Sequence, residues 1–148
     1  MQKTRAGRWA ALALAGTVAL AGCSGTADDG DRAASAAQEE ANGQSLDADA
    51  FADLAAGEGV VVLDVRTPEE FAAGHLDGAV NADVSAADFA SQVAELDPDA
   101  TYAVYCRSGN RSRTAMQVMQ DAGIDGVADL AGGIDAWTQS GGAVVTGS

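Results

Sequence analysis

The stretch Thr101-Tyr-Ala-Val-Tyr-Cys-Arg-Ser-Gly-Asn-Arg-Ser-Arg-Thr114 decides the fold class of this chain and carries its candidate functional residue. Tyr102 to Tyr105 form an aromatic and β-branched run, which is typical of a buried strand. From Ala115 onward, apolar residues recur at helical spacing until Gly123, so the sequence predicts a helix that ends there. A short polar loop that opens on Cys106 therefore joins a strand to a helix.

The position of Cys106 favours a reactive thiolate. Free backbone N–H groups and the positive end of the helix dipole point toward such a loop, where they lower a cysteine pKa and hold an anion. Arg107 and Arg111 add two positive charges. The sequence thus predicts Cys106 as a nucleophile in an anion-binding loop. The residues predicted to contact the anion are Arg107, Ser108, Gly109, Asn110, Arg111 and Ser112.

The charge distribution supports this interpretation. The chain has eight basic and twenty-two acidic residues, a net charge of −14. Every acid follows residue 22, so loss of the first 22 residues would leave five basic residues and a net charge of −17. Three of those five are Arg107, Arg111 and Arg113. The loop is therefore basic while the rest of the domain is acidic, and this difference in charge should concentrate small anions at the loop. The strong acidity argues against nucleic acid as a partner and against charge-driven docking on an anionic bilayer.

The N-terminal segment has the pattern of an export leader. Basic residues precede an apolar run from Trp9 to Leu20, which is too short to span a bilayer as a stable helix. The ending Leu20-Ala-Gly-Cys23 resembles the lipobox of bacterial lipoproteins. This resemblance implies cleavage before Cys23, lipidation of Cys23, and an exported protein anchored on the outer face of the bacterial cell membrane. The alternative is an ordinary signal peptide with an incidental cysteine.

Composition divides the chain into three parts. Residues 1–22 are the predicted leader, and residues 23–44 form an acidic tether rich in Ala, Gly and Ser that cannot bury enough apolar surface to fold alone. Residues 45–148 form one globular domain, because that length supports a single hydrophobic core.

Strands and helices alternate through the domain. The continuous apolar run Val60 to Leu63 predicts a strand buried on both faces, and further strands are predicted near 79–84, 102–105 and 126–130. Asp47 or Asp49, Thr67 with Pro68, and Ser85 are predicted helix starts, and a last helix is predicted over 134–138. This alternation predicts an open parallel α/β sheet with helices on both faces, which binds ligands at the carboxyl ends of its strands.

Five short motifs in order make the region Leu46 to Ala143 resemble a single rhodanese domain. They are Leu63-Asp-Val-Arg66, Glu70-Phe71 with Gly74-His75-Leu76, Gly78-Ala-Val-Asn81, the loop Cys106-Arg-Ser-Gly-Asn-Arg111, and Gly132-Gly133 followed by Trp137. The resemblance implies a five-stranded open parallel sheet. In active sulfurtransferases of this family the loop has six residues, with arginine second, glycine fourth and arginine or threonine sixth. Arg107, Gly109 and Arg111 match those places.

The function implied by the resemblance is sulfur transfer. A Cys106 thiolate would take the outer sulfur of thiosulfate or a related small anionic donor and pass it from a persulfide to a thiol or another nucleophile. We expect no metal or organic cofactor, no membrane contact other than the lipid anchor, and a monomer. If Cys23 is lipidated, Cys106 is the only thiol, which excludes an internal disulfide.

Two other functions remain open. The loop could hold a persulfide or an oxyanion without turnover, or the same thiolate could serve a phosphatase-like or arsenate-reductase-like enzyme. Related phosphatases place five residues between cysteine and arginine, whereas four separate Cys106 from Arg111. By resemblance, this spacing favours sulfur over phosphate.

The remaining polar residues receive structural interpretations. Asp64 and Arg66 form a strand-end salt bridge or, alternatively, organise the cysteine loop. Glu69 and Glu70 belong to a solvated first helical turn, because acids favour the positive end of a helix. His75, the single histidine, has a structural role in a turn.

Overall fold

The computed structural model of the chain describes residues 41–147. The predicted leader, Cys23 and residues 24–40 of the predicted tether lie outside the described residues. No helix within residues 41–147 is long and apolar enough to cross a bilayer.

A five-stranded parallel sheet forms the centre of the domain, which confirms the predicted fold class. Its strands pair in the order β1-β5-β4-β2-β3, so that β4 is central and β1 and β3 are the edges. All four pairings are parallel. The strands are β1 (Gln44–Leu46), β2 (Val60–Asp64), β3 (Val80–Asn81), β4 (Thr101–Tyr105) and β5 (Val127–Leu130).

Helices cover both faces of the sheet. They are α1 (Ala48–Ala55), α2 (Pro68–Ala73), α3 (Phe89–Ala94), α4 (Asn110–Asp121) and α5 (Gly133–Gln139). Side chains of α3 and α4 pack on one face with Tyr102 and Val104 of β4. Side chains of α1 and α5 pack on the other face with Ala103 and Tyr105. All five residues of β4 are buried, as expected of a central strand whose alternate side chains enter two cores.

Two of the predicted helix starts are confirmed and one is wrong. Asp47 accepts from the backbone N–H of Ala50 at 3.0 Å, and Thr67 forms a capping box with Glu70. Ser85 does not start a helix, because its hydroxyl is bonded to the carboxylate of Asp83 and the chain turns until α3 begins at Phe89.

The folded part begins before the predicted boundary between residues 44 and 45. Ala41 is fully buried, and the N–H of Gly43 donates to the carbonyl of Val127 at 2.8 Å. Gln44 then begins β1, which pairs with β5. The sequence of β1 has no apolar run to reveal a strand, since two of its three residues are polar and exposed.

The N-terminus of α5 packs directly on the backbone that follows β4. The N–H groups of Ile134 and Asp135 donate to the carbonyls of Cys106 and Arg107 at 2.8 and 3.1 Å. Gly133 has φ +60°, and a Cβ at this position would lie 2.4 Å from the carbonyl oxygen of Cys106. A side chain at Gly133 would therefore push α5 away from the cysteine loop.

Replacement of Gly133 by alanine should destabilise the domain far more than replacement of Gly59. Gly59 also has a positive φ, +78°, but a Cβ there meets nothing within 4 Å. Gly59→Ala should cost about 1–2 kcal/mol from backbone conformation alone. Gly133→Ala should cost at least about 2 kcal/mol more, because backbone atoms of the loop must move. Urea unfolding of both variants measures the difference, and equal losses would contradict the close packing.

Candidate active site

Cys106 follows β4 directly, and its sulfur is surrounded by hydrogen-bond donors. The residue is 1% exposed. The backbone N–H of Gly109 donates to Sγ at 3.1 Å, and the hydroxyl oxygen of Ser112 lies 3.6 Å from the same atom. Gly109 has φ +93° and immediately precedes α4, so the chain reverses between the thiol and the helix. The predicted arrangement of a thiol at a strand-to-helix junction is present.

The pKa of the Cys106 thiol is lowered despite its burial. Burial has the largest effect and acts in the opposite direction, because it disfavours the charged thiolate. Hydrogen bonds from the Ser112 hydroxyl and from the backbone N–H groups of Ser112, Ser108 and Gly109 together outweigh it. The donors that favour ionisation are thus mostly backbone groups, which are fixed in place by the fold.

Arg111 is held by a carboxylate. It lies in the first turn of α4, and its Nη1 and Nη2 donate to Oε2 and Oε1 of Glu70 at 2.6 and 2.8 Å. The hydrogen bond from Arg111 lowers the pKa of Glu70 to about 2, so Glu70 is ionised at neutral pH. The interpretation of Glu70 as a solvated helix residue is therefore wrong, because it neutralises one of the two arginines assigned to the anion site.

Arg107 and Arg113 differ in their contacts. The Arg107 side chain is 70% exposed, and its Nε lies 3.7 Å from the Asp135 carboxylate, which is a weak surface pair. Arg113 is exposed, but its Nε donates to the carbonyl of Gly109 at 3.1 Å and its Nη2 to Asn110 Oδ1 at 3.3 Å. Arg113 therefore supports the loop backbone. Ser108 and Asn110 lie on the exposed side of the loop.

Asp64 and Arg66 form a buried salt bridge at the end of β2, which agrees with the first of the two interpretations. Arg66 Nη2 lies 2.5 Å from Asp64 Oδ2 and also donates to the carbonyl of Gly74 at 2.7 Å. Both residues are almost fully buried. The pair ties β2 to the segment after α2 and makes no hydrogen bond to the cysteine loop.

His75 has the structural role expected of it. Its Nδ1 lies 2.9 Å from the carbonyl of Phe71, and its ring stacks on the Phe71 ring with centroids 3.7 Å apart. Its backbone pairs with Val145. These contacts fasten the C-terminal segment to the turn after α2.

A buried carboxylate that was not predicted from the sequence lies behind the cysteine. Asp129 of β5 is fully buried, and its Oδ2 accepts from the Ser112 hydroxyl at 3.0 Å. Its Oδ1 accepts from the Ser45 hydroxyl of β1. An aspartate between Ala128 and Leu130 in an apolar strand was the available signal, because a buried carboxylate requires partners. Among residues 41–147, no cluster of His, Cys, Asp and Glu has the arrangement of a metal site.

The comparison with protein families matches residues 47–140 to the rhodanese-like domain. The chain belongs to this family. The rhodanese-like domain includes every element from α1 to the end of α5, so the family match and the cysteine loop belong to the same folded unit. The family match confirms the rhodanese-like domain that the five sequence motifs indicate.

Relatives of this rhodanese-like domain include named enzymes. The chain is 40% identical to thiosulfate sulfurtransferase GlpE of Pseudomonas entomophila over 54% of this chain and 72% of that protein. It is 38% identical to an uncharacterized Synechocystis protein over 55% of this chain, and it spans only 45% of that relative. A solved rhodanese-related protein of Thermoplasma volcanium matches with a TM-score of 0.61 and 31% identity, over 69% of this chain and 97% of that one.

We predict that the Cys106 thiolate of the rhodanese-like domain forms below the pH expected of free cysteine. The backbone donors at the loop favour the charged sulfur. The alkylation rate of the Cys106 peptide, followed by mass spectrometry against pH, should have its midpoint below about 8.5. A midpoint at or above that value would mean that burial dominates over the hydrogen bonds.

Proposed function

We propose that the protein is a sulfurtransferase in which Cys106 carries sulfane sulfur as a persulfide. The observation that carries the proposal is the hydrogen bond from the Gly109 N–H to Cys106 Sγ, within a six-residue loop of a rhodanese-like domain. That donor and its neighbours stabilise a negative sulfur both before attack and when it leaves. The relatives named thiosulfate sulfurtransferases support the same reaction class.

The reaction has two substitution steps at sulfur. The Cys106 thiolate attacks the outer sulfur of thiosulfate, the new S–S bond forms, and the old S–S bond breaks with its electron pair on the departing sulfite. An acceptor thiolate then attacks the outer sulfur of the persulfide, and the Cys106 thiolate leaves. Neither step requires a general base, because the attacking sulfur is already ionised.

The charges around the loop favour small donors. A thiolate and a dianion repel each other by several kcal/mol at close range, with an effective dielectric constant of about 20. Arg107 and the loop N–H groups offset this repulsion, whereas the positive charge of Arg111 is largely neutralised by the Glu70 carboxylate. Because Cys106 is 1% exposed, a bulky donor would have to displace the loop to reach it.

A persulfide or oxyanion carrier without turnover is the second candidate. Two observations favour it over the phosphatase-like alternative, namely the covered sulfur and the pairing of both arginines with carboxylates. The phosphatase-like enzyme is disfavoured further by the four residues between Cys106 and Arg111. Turnover in the presence of an acceptor separates the enzyme from the carrier.

We predict that incubation with thiosulfate adds one sulfur atom to Cys106. Mass spectrometry of the Cys106 peptide from the full-length protein should show one added sulfur, and a thiol acceptor should then remove it. Cys106→Ser keeps the shape of the residue but removes the nucleophilic sulfur, so it should acquire none. Loading without removal would support the carrier, and the absence of loading from several sulfane donors would contradict both functions.

Charge changes at the Arg111–Glu70 pair should alter loading more than unloading. Arg107→Ala should lower the rate of loading from thiosulfate by roughly one to two powers of ten, because a charge-assisted hydrogen bond is worth about 1.5–3 kcal/mol. Arg111→Ala should also lower it, because the Glu70 carboxylate is then left without its partner beside the loop. Glu70→Gln should raise that rate, because it frees the positive charge of Arg111 for the dianion. Removal of sulfur by a neutral acceptor should change little. Stopped-flow measurement of sulfite release reports loading.

Glu69→Gln is the matched control for these variants. Glu69 is the exposed neighbour of Glu70 on α2, and its loss removes the same charge without freeing Arg111. Arg113→Ala is unsuitable as a control, because Arg113 supports the carbonyl of Gly109. Equal loading rates in Glu70→Gln and Glu69→Gln would contradict a role for the Arg111 charge.

We also propose that the protein is exported and anchored by lipid on Cys23. The basic start, the short apolar run and the ending Leu20-Ala-Gly-Cys23 support this proposal. These features lie outside the described residues, so the support comes from the sequence. The anchor would leave sulfur chemistry to the domain, since the proposed reaction uses no residue before Ala41.

Cys23→Ser should release the protein from the membrane fraction and leave its sulfur loading unchanged. The intact mass of the mature protein from its native host should correspond to residues 23–148 with attached lipid. Recovery of an unlipidated mature protein would contradict the anchor. Loss of loading in the Cys23→Ser protein would show that the N-terminal segment contributes to the site.

A further inference from the structure

Four side chains form a continuous chain of hydrogen bonds from the sheet edge to the reactive sulfur. The Ser45 hydroxyl of β1 donates to Asp129 Oδ1, and the Ser112 hydroxyl of α4 donates to Asp129 Oδ2 at 3.0 Å. The Ser112 oxygen lies 3.6 Å from Cys106 Sγ. Asp129 and Ser112 are fully buried, so water does not replace these partners. The reaction described above makes no use of Asp129.

The Ser112 hydroxyl has one proton and three acceptors within reach. They are Asp129 Oδ2 at 3.0 Å, the carbonyl of Gly109 at 3.1 Å and Cys106 Sγ at 3.6 Å. A hydroxyl donates one hydrogen bond at a time. While the sulfur is protonated, it donates to the Ser112 oxygen, and the Ser112 proton is free for Asp129. Once the sulfur is ionised, it becomes an acceptor, and it competes with Asp129 for that proton.

The other charged groups near the sulfur have partners of their own. On the loop side, Arg111 pairs with Glu70 and Arg107 with Asp135. Asp83 lies within electrostatic range of Arg111. At the end of β2, Asp64 and Arg66 bind each other. From β5 and β1, the groups that face Ser112 are Asp129 and, behind it, the Ser45 hydroxyl.

We propose that Asp129 is a positioning residue that decides whether the Ser112 hydroxyl donates to the carboxylate or to the sulfur of Cys106. The inference rests on the proposed sulfur transfer. In that reaction Cys106 Sγ alternates between a thiolate, which needs a donor, and the inner sulfur of a persulfide, which carries no charge. In the persulfide state the Ser112 hydroxyl donates its hydrogen bond to Asp129. In the thiolate state it donates to the sulfur instead. Ser45 tunes this exchange, because its own hydroxyl satisfies part of the Asp129 charge.

The test is the pH at which Cys106 becomes reactive, measured on full-length protein by alkylation of the Cys106 peptide without any sulfur donor. Asp129→Asn removes the competing charge, and the new amide can donate to the Ser112 oxygen. The Ser112 proton then goes to the sulfur, and the alkylation midpoint should fall by about one pH unit. Ser112→Ala removes the donor to the thiolate, so it should raise the midpoint by a similar amount.

The double variant Asp129→Asn with Ser112→Ala separates positioning from simple charge. If Asp129 acts through Ser112, the shift caused by Asp129→Asn should shrink to less than half in the Ser112→Ala background. An equal shift in both backgrounds would mean that Asp129 acts as a nearby charge alone, and this would overturn the proposal. Thermal unfolding of each variant records any loss of stability, and midpoints are compared only among variants that stay folded at the assay temperature.

Ser45→Ala supplies an independent test at an exposed position, in case Asp129→Asn does not fold. Loss of the Ser45 donor leaves Asp129 dependent on Ser112, so the alkylation midpoint should rise, in the direction opposite to that of Asp129→Asn. An unchanged midpoint would overturn the proposal. Because no sulfur donor is present, these outcomes do not depend on thiosulfate loading. A protein that fails to load sulfur but shows these shifts would contradict the proposed function and leave the role of Asp129 intact.

Discussion

The site depends on the close packing of the N-terminus of α5 against the backbone of Cys106 and Arg107. Two hydrogen bonds from the helix N-terminus hold those carbonyls, and there is no space for a side chain at Gly133. Gly109 is similarly confined, because a Cβ there would lie 3.2 Å from the backbone nitrogen of Gly132. The two glycine-containing turns therefore interlock. Their fit fixes where the Gly109 N–H points, and thus the environment of the sulfur.

This constraint explains why the loop can stabilise a thiolate although its arginines are paired. The salt bridge to Glu70 offsets the charge of Arg111, and Arg107 is exposed and only weakly paired with Asp135. The backbone N–H groups that face Sγ have no such competitors, because their direction is set by packing and not by side-chain rotamers. The sequence, with its arginines close to Cys106, suggests that side-chain charge ionises the thiol. In this domain the backbone N–H groups make a large contribution to that ionisation.

Local sequence patterns predicted the elements that depend on local chemistry. The strand before Cys106, the helix after it and the helix start at Thr67 all follow from runs and spacings within a few residues. The pairs that escaped prediction join distant parts of the chain, with separations of 41 residues for Arg111–Glu70 and 84 for Ser45–Asp129. Such pairs are set by sheet order and helix placement, which one sequence does not reveal. The Ser85 start failed for a local reason, since Asp83 competes for the hydroxyl.

The edge strand β1 ties the start of the fold to the reactive centre. Ser45 lies three hydrogen bonds from the sulfur, through Asp129 and Ser112. β1 has only three residues and pairs on one side, with β5. Tension or crowding applied at the N-terminal end of the domain would therefore act first on a strand that belongs to the thiol's own network. The start of the folded domain and the environment of its cysteine are therefore linked through β1.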